Sequence, residues 1–250
     1  MKSPVISIIT IVYNGVKTLQ KTIDSIACQS YSNIEYVIVD GGSDDGTVDL
    51  IKSNEYSVSK WISESDDGLY DAMNKGLKMA TGDFVWFINS GDEVYESLSI
   101  EKMVENFGLT WPDVIYGDTV MIDVDGNEIG ERRLQPPSDL KWKDFRNGML
   151  VSHQSILVSK KIAKLYNTNY RFSADFEWCL QALKDARLVH NSKQTLSRFL
   201  DGGLTKQNIV PGLRERFDIM RRYFGLFPTM YRHIPIGIRF LLYVLKNKRF

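Results

Sequence analysis

Cysteine is nearly absent from this 250-residue chain: only Cys28 and Cys179 occur, far apart. That excludes a disulfide-built scaffold. Each stands beside apolar residues of a predicted helix, so both are expected in the core of a protein from a reducing compartment. Long apolar runs are missing as well: no 18 uninterrupted apolar residues occur, so no segment is predicted to span a membrane. The first residues, MKSPVISIITIVYNG, lack the apolar region and small-residue cleavage site of a signal peptide. Both common phosphate cradles are missing, since there is no G-x-G-x-x-G after the first strand and no G-x-x-x-x-G-K-[ST] anywhere. With 43% hydrophobic and 25% charged residues, disordered and collagen-like classes are excluded. The length suits one α/β domain, alone or with an appendage.

Net charge is absent too, but only in sum. From Lys206 onward ten Lys/Arg face only Glu215 and Asp218, giving +8, which leaves residues 1–205 at −8. An acidic body carries a basic tail.

What is present is a series of strands that end in polar loops. VISIITIVY is a β-branched run suited to a parallel strand buried on both faces, and it ends at Tyr13-Asn14-Gly15. A helix follows, with Leu19, Ile23 and Ile26 on one stripe. IEYVIVD ends at Asp40 before the turn GGSDDGT and a short helix from about Thr47. VSKWISE ends at Glu64, and a helix with Leu69, Met73, Leu77 and Ala80 on its stripe follows. The fourth strand, Phe84 to Asn89, stops at Asn89-Ser90-Gly91-Asp92. Four strands alternating with three helices predict an α/β fold, with a parallel sheet whose ligands sit beyond the carboxyl ends of the strands. Those ends carry Asn14, Asp40, Glu64 to Asp67, and Asn89 to Asp92. An acidic pocket repels phosphates unless a cation intervenes, which points to a divalent metal at Asp92 bridging to a diphosphate. Asp40 can instead accept hydrogen bonds from a base or ribose without a metal.

In these residues the chain resembles the family 2 inverting glycosyltransferases of GT-A fold, and more narrowly bacterial enzymes of O-antigen, capsule and exopolysaccharide (colanic-acid-type) assembly. The segments that carry the resemblance are SIITIVYNG, VDGGSDDGT, SESDDGLYDAMNKGLKMATGDFVWFINSGD, SHQSILV, YRFSADFEW and FLDGGLT, in that order over residues 5 to about 206. The resemblance implies a GT-A-like (Rossmann-like), mostly parallel sheet flanked by helices. Residues 1–206 would form the transferase domain, with the nucleotide-sugar half at about 1–92 and the acceptor side at 93–206. Residues 207–250 would form a basic, helical C-terminal tail. Thr10, Val12 and Asn14 would lie against the nucleoside, Asp40 on the base, and Asp67 and Asn74 near the nucleotide. Asp92 would be the last acid of the metal-binding D-x-D element, binding Mn2+ or Mg2+, and Asp175 the catalytic base. His153 and Asn89 are possible metal, diphosphate or acceptor contacts. The chain departs from the wider family in having Asn89 and Gly91 where many relatives carry Asp, and it lacks the Q-x-x-R-W motif of processive polymerases. The donor implied is a nucleotide diphosphate sugar, most commonly a UDP-sugar, and the acceptor a lipid-linked saccharide.

Further along, DVIYGDTVMIDVDGNEIGERR predicts two antiparallel strands around Asp125-Gly126-Asn127. QPPSD (Gln135 to Asp139) marks a loop. His153 falls within the alternation of MLVSHQSILV and reads as a strand residue. SADFEWCLQAL opens a helix with Phe176, Leu180 and Leu183 on its stripe. There Asp175 and Glu177, two residues apart, point about 200° away from each other, so at most one faces a pocket. In the tail, Arg and Lys mix with Phe, Tyr, Leu and Ile, and the run Ile234 to Leu245 is broken by Arg239. An interfacial helix on an anionic membrane accounts for both facts, and places the protein in the cytoplasm as a peripheral protein at the inner face of the membrane. The other reading is a helix packed on the domain. Nucleic acid is not expected, because the acidic body would repel it. Two further functions remain open: a non-catalytic nucleotide-sugar-binding subunit, and a nucleotidyltransferase, for which the first turns supply only Lys17.

Overall fold

All seven residues of the first strand, β1 (Ile6–Val12), are buried. Ile9 and Ile11 join one apolar cluster with Val37, Val39, Met73 and Leu77, while Ile6 and Ile8 join a second with Leu19, Ile23, Ile38 and Trp86. A strand covered on both faces needs no polar side, which is why its sequence runs apolar without alternating. The computed structural model describes residues 3–107, 110–202 and 208–247; the side chains of 236 and 239–247 lie outside that description.

β1 pairs in parallel with β2 (Ile34–Asp40) and β4 (Phe84–Phe87), and β2 pairs in parallel with β3 (Lys60–Ser63). Helix α1 (Leu19–Ala27) buries Leu19, Ile23 and Ile26 in one cluster. After the short α2 (Thr47–Ser53), α3 (Leu69–Met79) buries Tyr70, Met73 and Leu77 in the other. Helices therefore cover opposite faces of the sheet. α3 comes so near that a Cβ on Gly76 would lie 2.5 Å from Ile9 Cγ2, an approach only glycine permits.

Beyond β4 the sheet becomes mixed. β5 (Glu93–Val94) and α4 (Ser99–Glu105) precede β6 (Val114–Ile122), which forms the expected antiparallel pair with β7 (Glu128–Glu131). β8 (Ile156–Ser159) runs antiparallel to both β4 and β6. After α5 (Ala174–Asp185), β9 (Val189–Leu200) runs parallel to β6 and antiparallel to β5. The order is β3-β2-β1-β4-β8-β6-β9-β5, with β7 on the side of β6.

Two helices end the described chain, α6 (Ile209–Phe224) and α7 (Leu226–Asn247). α6 packs on the body, burying Ile219 and Met220 in the cluster that holds α5 and stacking Phe224 on Trp142 at 5.5 Å. α7 is different. Leu226, Phe227, Met230, Tyr231, Ile234 and Ile238 are all exposed, and their spacing of three or four residues sets them along one stripe. No helix among the described residues is long and apolar enough to cross a membrane.

Two expectations are corrected. Cys28 caps α1 and is exposed, because the helix ends before another apolar turn can cover it; Cys179 is in the core as expected. His153 is not in a strand. It begins a 3-10 turn, His153–Ser155, that closes on the backbone bond from Ser155 N–H to Ser152 O (3.0 Å) and delays the strand to Ile156. The end of FLDGGLT from Gly203, the expected boundary at 206/207, and three tail cations (Lys206, Lys248, Arg249) lie outside the described residues.

Candidate functional site

The fourth strand delivers its last polar residues into a turn held by α1. The Asp92 N–H donates to Asn89 O (2.9 Å), and the Thr22 hydroxyl accepts from Gly91 N–H (3.0 Å) while donating to Asp92 O (2.8 Å). Gly91 has φ +97°, and a Cβ there would lie 2.7 Å from Leu200 Cδ2. No second carboxylate fits at that position without strain.

Asp92 is 5% exposed, and its carboxylate accepts the Leu200 N–H at 3.0 Å. Burial outweighs this bond and one from Gln154, pushing the carboxyl up to about 7. In the same turn, Asn89 Oδ1 is buried with no hydrogen-bond partner. A buried, unpaired oxygen in one turn with an under-solvated carboxyl suits a hard cation, which would draw on these two and complete its shell on phosphate oxygens and water. Among the described residues no group of three or more His, Cys, Asp or Glu is placed to hold a metal alone. Asp92 and Asn89 therefore suit a cation shared with a bound diphosphate.

Two neighbouring strand ends make the next part. Asp40 is fully buried and accepts from the N–H groups of Gly42 (3.1 Å) and Ser43 (2.9 Å) and from the hydroxyls of Ser63 (2.6 Å) and Ser43. Asn14, at φ 49°, locks the same turn: its N–H donates to Ser43 Oγ (2.7 Å) and its Oδ1 accepts from Asp44 N–H (3.1 Å). Lys75 draws Glu64 (2.9 Å), Asp66 (2.6 Å) and Asp71 (3.6 Å) around itself. Burial lowers this lysine's pKa, but Asp66 and Glu64 outweigh it and hold the pKa well above the usual value. Asp66 lies against Gly41, where a Cβ would meet its Oδ2 at 2.9 Å, so this carboxylate, and not only the exposed Asp67, lines the turn after Asp40.

A third part forms where α5 begins. Asp175 Oδ1 accepts from Tyr70 OH (3.1 Å) and from its own helix at Phe176 N–H (2.8 Å). Glu177 leaves in another direction, where it is buried and accepts from Asn167 Nδ2 (3.2 Å) and Tyr223 OH (3.4 Å). The guanidinium of Arg132, from β7's end, lies in the field of Asp175, and that of Arg216, from α6, acts on Arg132 and on Tyr70.

Of the other predicted residues, several are placed beneath these surfaces. Thr10 and Val12 are buried, and the Thr10 hydroxyl donates to Ile88 O (2.7 Å) while accepting from Tyr36 OH (3.1 Å). Asn74 clamps the backbone of Tyr166 with both ends of its amide, at 2.7 and 3.0 Å. His153 is 3% exposed, packed among Phe87, Tyr166 and Trp178, with Nε2 2.7 Å from Tyr166 OH. Burial lowers it to about 4, so it is neutral. Asp66 was anticipated only as part of the stretch Glu64 to Asp67, and Tyr70, Arg132 and Arg216 were not anticipated. Only the paired arginines after the β7 hairpin offered a sequence signal. An open indentation of about 530 Å3 between α1 and β5 holds none of these site residues.

The fold is shared with known GT-A-like transferases. A Staphylococcus aureus TarS fragment solved with UDP-GlcNAc superposes with a TM-score of 0.65 at 18% identity, over 87% of this chain and 64% of that one. A mannosyltransferase from Pyrobaculum calidifontis, solved with GDP-Man and Mn2+, gives 0.64 at 14% identity over 100% of this chain and 77% of that one. A Mycobacterium tuberculosis protein described as an uncharacterized glycosyltransferase is 33% identical over 231 residues, 88% of this chain and 86% of its own length. Residues 7–167 match the family described as glycosyl transferase family 2. The chain belongs to that family.

Proposed function

We propose that this glycosyltransferase moves a sugar from a nucleotide diphosphate donor, a UDP-sugar, to a hydroxyl of a lipid-linked saccharide in surface polysaccharide assembly, with inversion at the anomeric carbon. The observation that carries the reading is a single turn at the carboxyl edge of the sheet that holds both an under-solvated Asp92 and an unpartnered Asn89 Oδ1. These two would hold Mn2+ or Mg2+, whose chemistry there is to offset charge on a departing diphosphate. Asn14 and Asp40 order the turn beneath the nucleoside, with Asp66 and Asp67 at its rim. Asp175, oriented by Tyr70 and its own helix, takes the acceptor proton as the hydroxyl attacks from the face opposite the diphosphate. His153 and Asn74 support this floor through Tyr166 and do not touch substrate. That relatives in fold were solved with UDP-GlcNAc and with GDP-Man and Mn2+ agrees with such a donor.

The tail completes the reading. The exposed apolar stripe of α7, together with the basic residues from Arg214 onward, suits an anionic membrane surface at the cytoplasmic face, where the lipid-linked acceptor is presented. Residues 1–206 would then be the transferase unit and 207–250 the membrane-facing tail.

The test is a thermal-shift panel of UDP-, GDP- and dTDP-sugars with and without Mn2+, on the wild type and on Asp92→Asn. A donor at 100 times its Kd adds about 2.7 kcal/mol to stability. A metal-dependent shift with one base, lost in Asp92→Asn, is the expected result. No shift with any donor overturns the reading. Donor binding without transfer or hydrolysis would favour a non-catalytic nucleotide-sugar-binding subunit.

A further inference from the structure

Two arginines converge where the mechanism uses only a carboxylate. α6 begins against the segment that launches α5. Glu215 accepts the N–H groups of Arg171 (2.9 Å) and Phe172 (2.8 Å), and the Ser173 hydroxyl donates to Gly212 O (3.1 Å). The next residue, Arg216, acts on Tyr70, the donor to Asp175, and its Nε is buried with no hydrogen-bond partner. From the other side Arg132 donates to Met149 O (3.2 Å). Burial, then Arg216 and Arg133, push its guanidinium down to about 10, with Asp175 opposing.

Buried charges in folded proteins are normally matched. Here the Arg132 and Arg216 guanidiniums repel each other, and Asp175, the carboxylate that opposes Arg132, has its Oδ1 already occupied by Tyr70 and the Phe176 amide. The cluster keeps an excess positive charge and an unused donor. Guanidinium pairs take phosphate or carboxylate through parallel N–H bonds, and such a group would resolve the repulsion.

The donor's diphosphate is the wrong occupant. In a single displacement the base and the leaving group stand on opposite faces of the anomeric carbon, so an anion held beside Asp175 lies on the acceptor side. We propose that Arg132 and Arg216 bind an anionic group, phosphate or carboxylate, carried by the acceptor close to its attacking hydroxyl. The proposal rests on the reading of Asp175 as the base, and it gives the tail two roles, α6 in acceptor selection and α7 at the membrane.

The experiment is calorimetry on the full chain with the donor site filled by UDP and Mn2+, titrating farnesyl diphosphate as the phosphate probe, glucuronic acid as the carboxylate probe and glucose as the neutral control. Wild type should bind at least one anionic probe and not glucose. Arg132→Gln and Arg216→Gln should each weaken that probe by about tenfold or more while leaving UDP affinity within about twofold. Arg132→Lys, which keeps the charge and the fold, should fall between. Asp175→Asn, with one negative neighbour removed, should tighten it. Which probe depends on the arginines tells a lipid diphosphate from an acidic sugar. If UDP affinity falls together with the probe's, the pair belongs to the donor and the proposal is wrong. Probe binding indifferent to both arginines, or none in wild type, also overturns it. Failure of UDP itself to bind wild type overturns the donor reading instead, and is scored separately.

Discussion

The two edges of the parallel sheet treat a buried carboxylate in opposite ways. At the amino edge Glu35 accepts from Ser7 Oγ (2.5 Å), from Thr81 N–H and hydroxyl (both 2.6 Å) and from Lys60 (2.6 Å). Burial would raise its pKa, but these bonds outweigh it and bring the group down to about 2. At the carboxyl edge Asp92 is more deeply buried, burial wins and the group sits near 7, in one turn with an amide oxygen that has no partner. Both residues end up inside an α/β sheet, Asp92 the deeper of the two, so burial accounts for part of the difference. The rest lies in whether the protein supplies the partners. A carboxylate with many donors and a cation locks strands together, and one with only the Leu200 N–H and Gln154 to oppose its burial is suited to take a further partner.

The largest expected effect is at the site edge. Asp175→Asn should lower turnover about 10²–10⁴-fold while UDP and Mn2+ affinity stay within about twofold, since a base acts on the acceptor. Steady-state rates and calorimetry on the same preparation check this. Glu177→Gln, whose side chain faces Asn167 and Tyr223, should leave turnover nearly unchanged. The reverse pattern would remove Asp175 from the reaction.

Restoring the wider family's second acid is the next way to break the comparison. Gly91→Asp meets both a left-handed backbone and Leu200 Cδ2, so it should destabilise the fold by about 2–4 kcal/mol in urea denaturation and not strengthen Mn2+ binding. Tighter Mn2+ binding at unchanged stability would mean that the turn has more room than its geometry gives it.

At the amino edge the effect should be purely structural. Glu35→Gln loses charge-assisted bonds and should cost about 2–3 kcal/mol at pH 7, with turnover per folded molecule unchanged. Its folded pKa is depressed, so its contribution is full above 4.5 and disappears as pH falls toward 2. Wild type and variant should converge in stability across that range. A turnover defect would blur the two edges.

How far these edges could be read in advance depended on sequence separation. β1, β2 and β4 with their helices were legible, because doubly covered strands are continuous apolar runs and amphipathic helices repeat every three or four residues. The opposite directions of Asp175 and Glu177 followed from 100° per residue. In the mixed half the β6–β7 pair was legible from its turn, but β9 was not anticipated, since β9 pairs with β6 some 75 residues earlier and nothing local announces that partner. His153 was misread as strand because alternation over ten residues cannot reveal a 3-10 turn closed by Ser152 O. The Arg132–Arg216 cluster spans 84 positions and depends on Glu215 docking α6, a contact no motif contains. Nor does sequence tell a satisfied acid from an unsatisfied one: Glu35 and Asp92 differ through distant donors.

The smallest expected effect uses His153, a buried group on the site side that is satisfied in the manner of Glu35. Burial holds it near 4 in the folded protein against about 6.5 unfolded, so below 6.5 the unfolded chain binds the extra proton. Its contribution is therefore complete above pH 6.5 and is lost toward pH 4, at about 1.4 kcal/mol per unit. Asp92 acts in the opposite direction in the same window. Its folded pKa near 7 lies above the unfolded value, so its proton favours the folded state at low pH. The two slopes oppose each other, and the wild-type curve alone would hide both. The difference between wild type and His153→Gln isolates the histidine. Wild type should lose about 2 kcal/mol relative to the variant between pH 6.5 and 5, measured by urea midpoints. Glu35→Gln should leave that difference intact, because its own window lies below 4.5. A difference that stays flat with pH would mean that His153 already takes up a proton in the folded protein. It would then be a polar group of the site and not part of its floor.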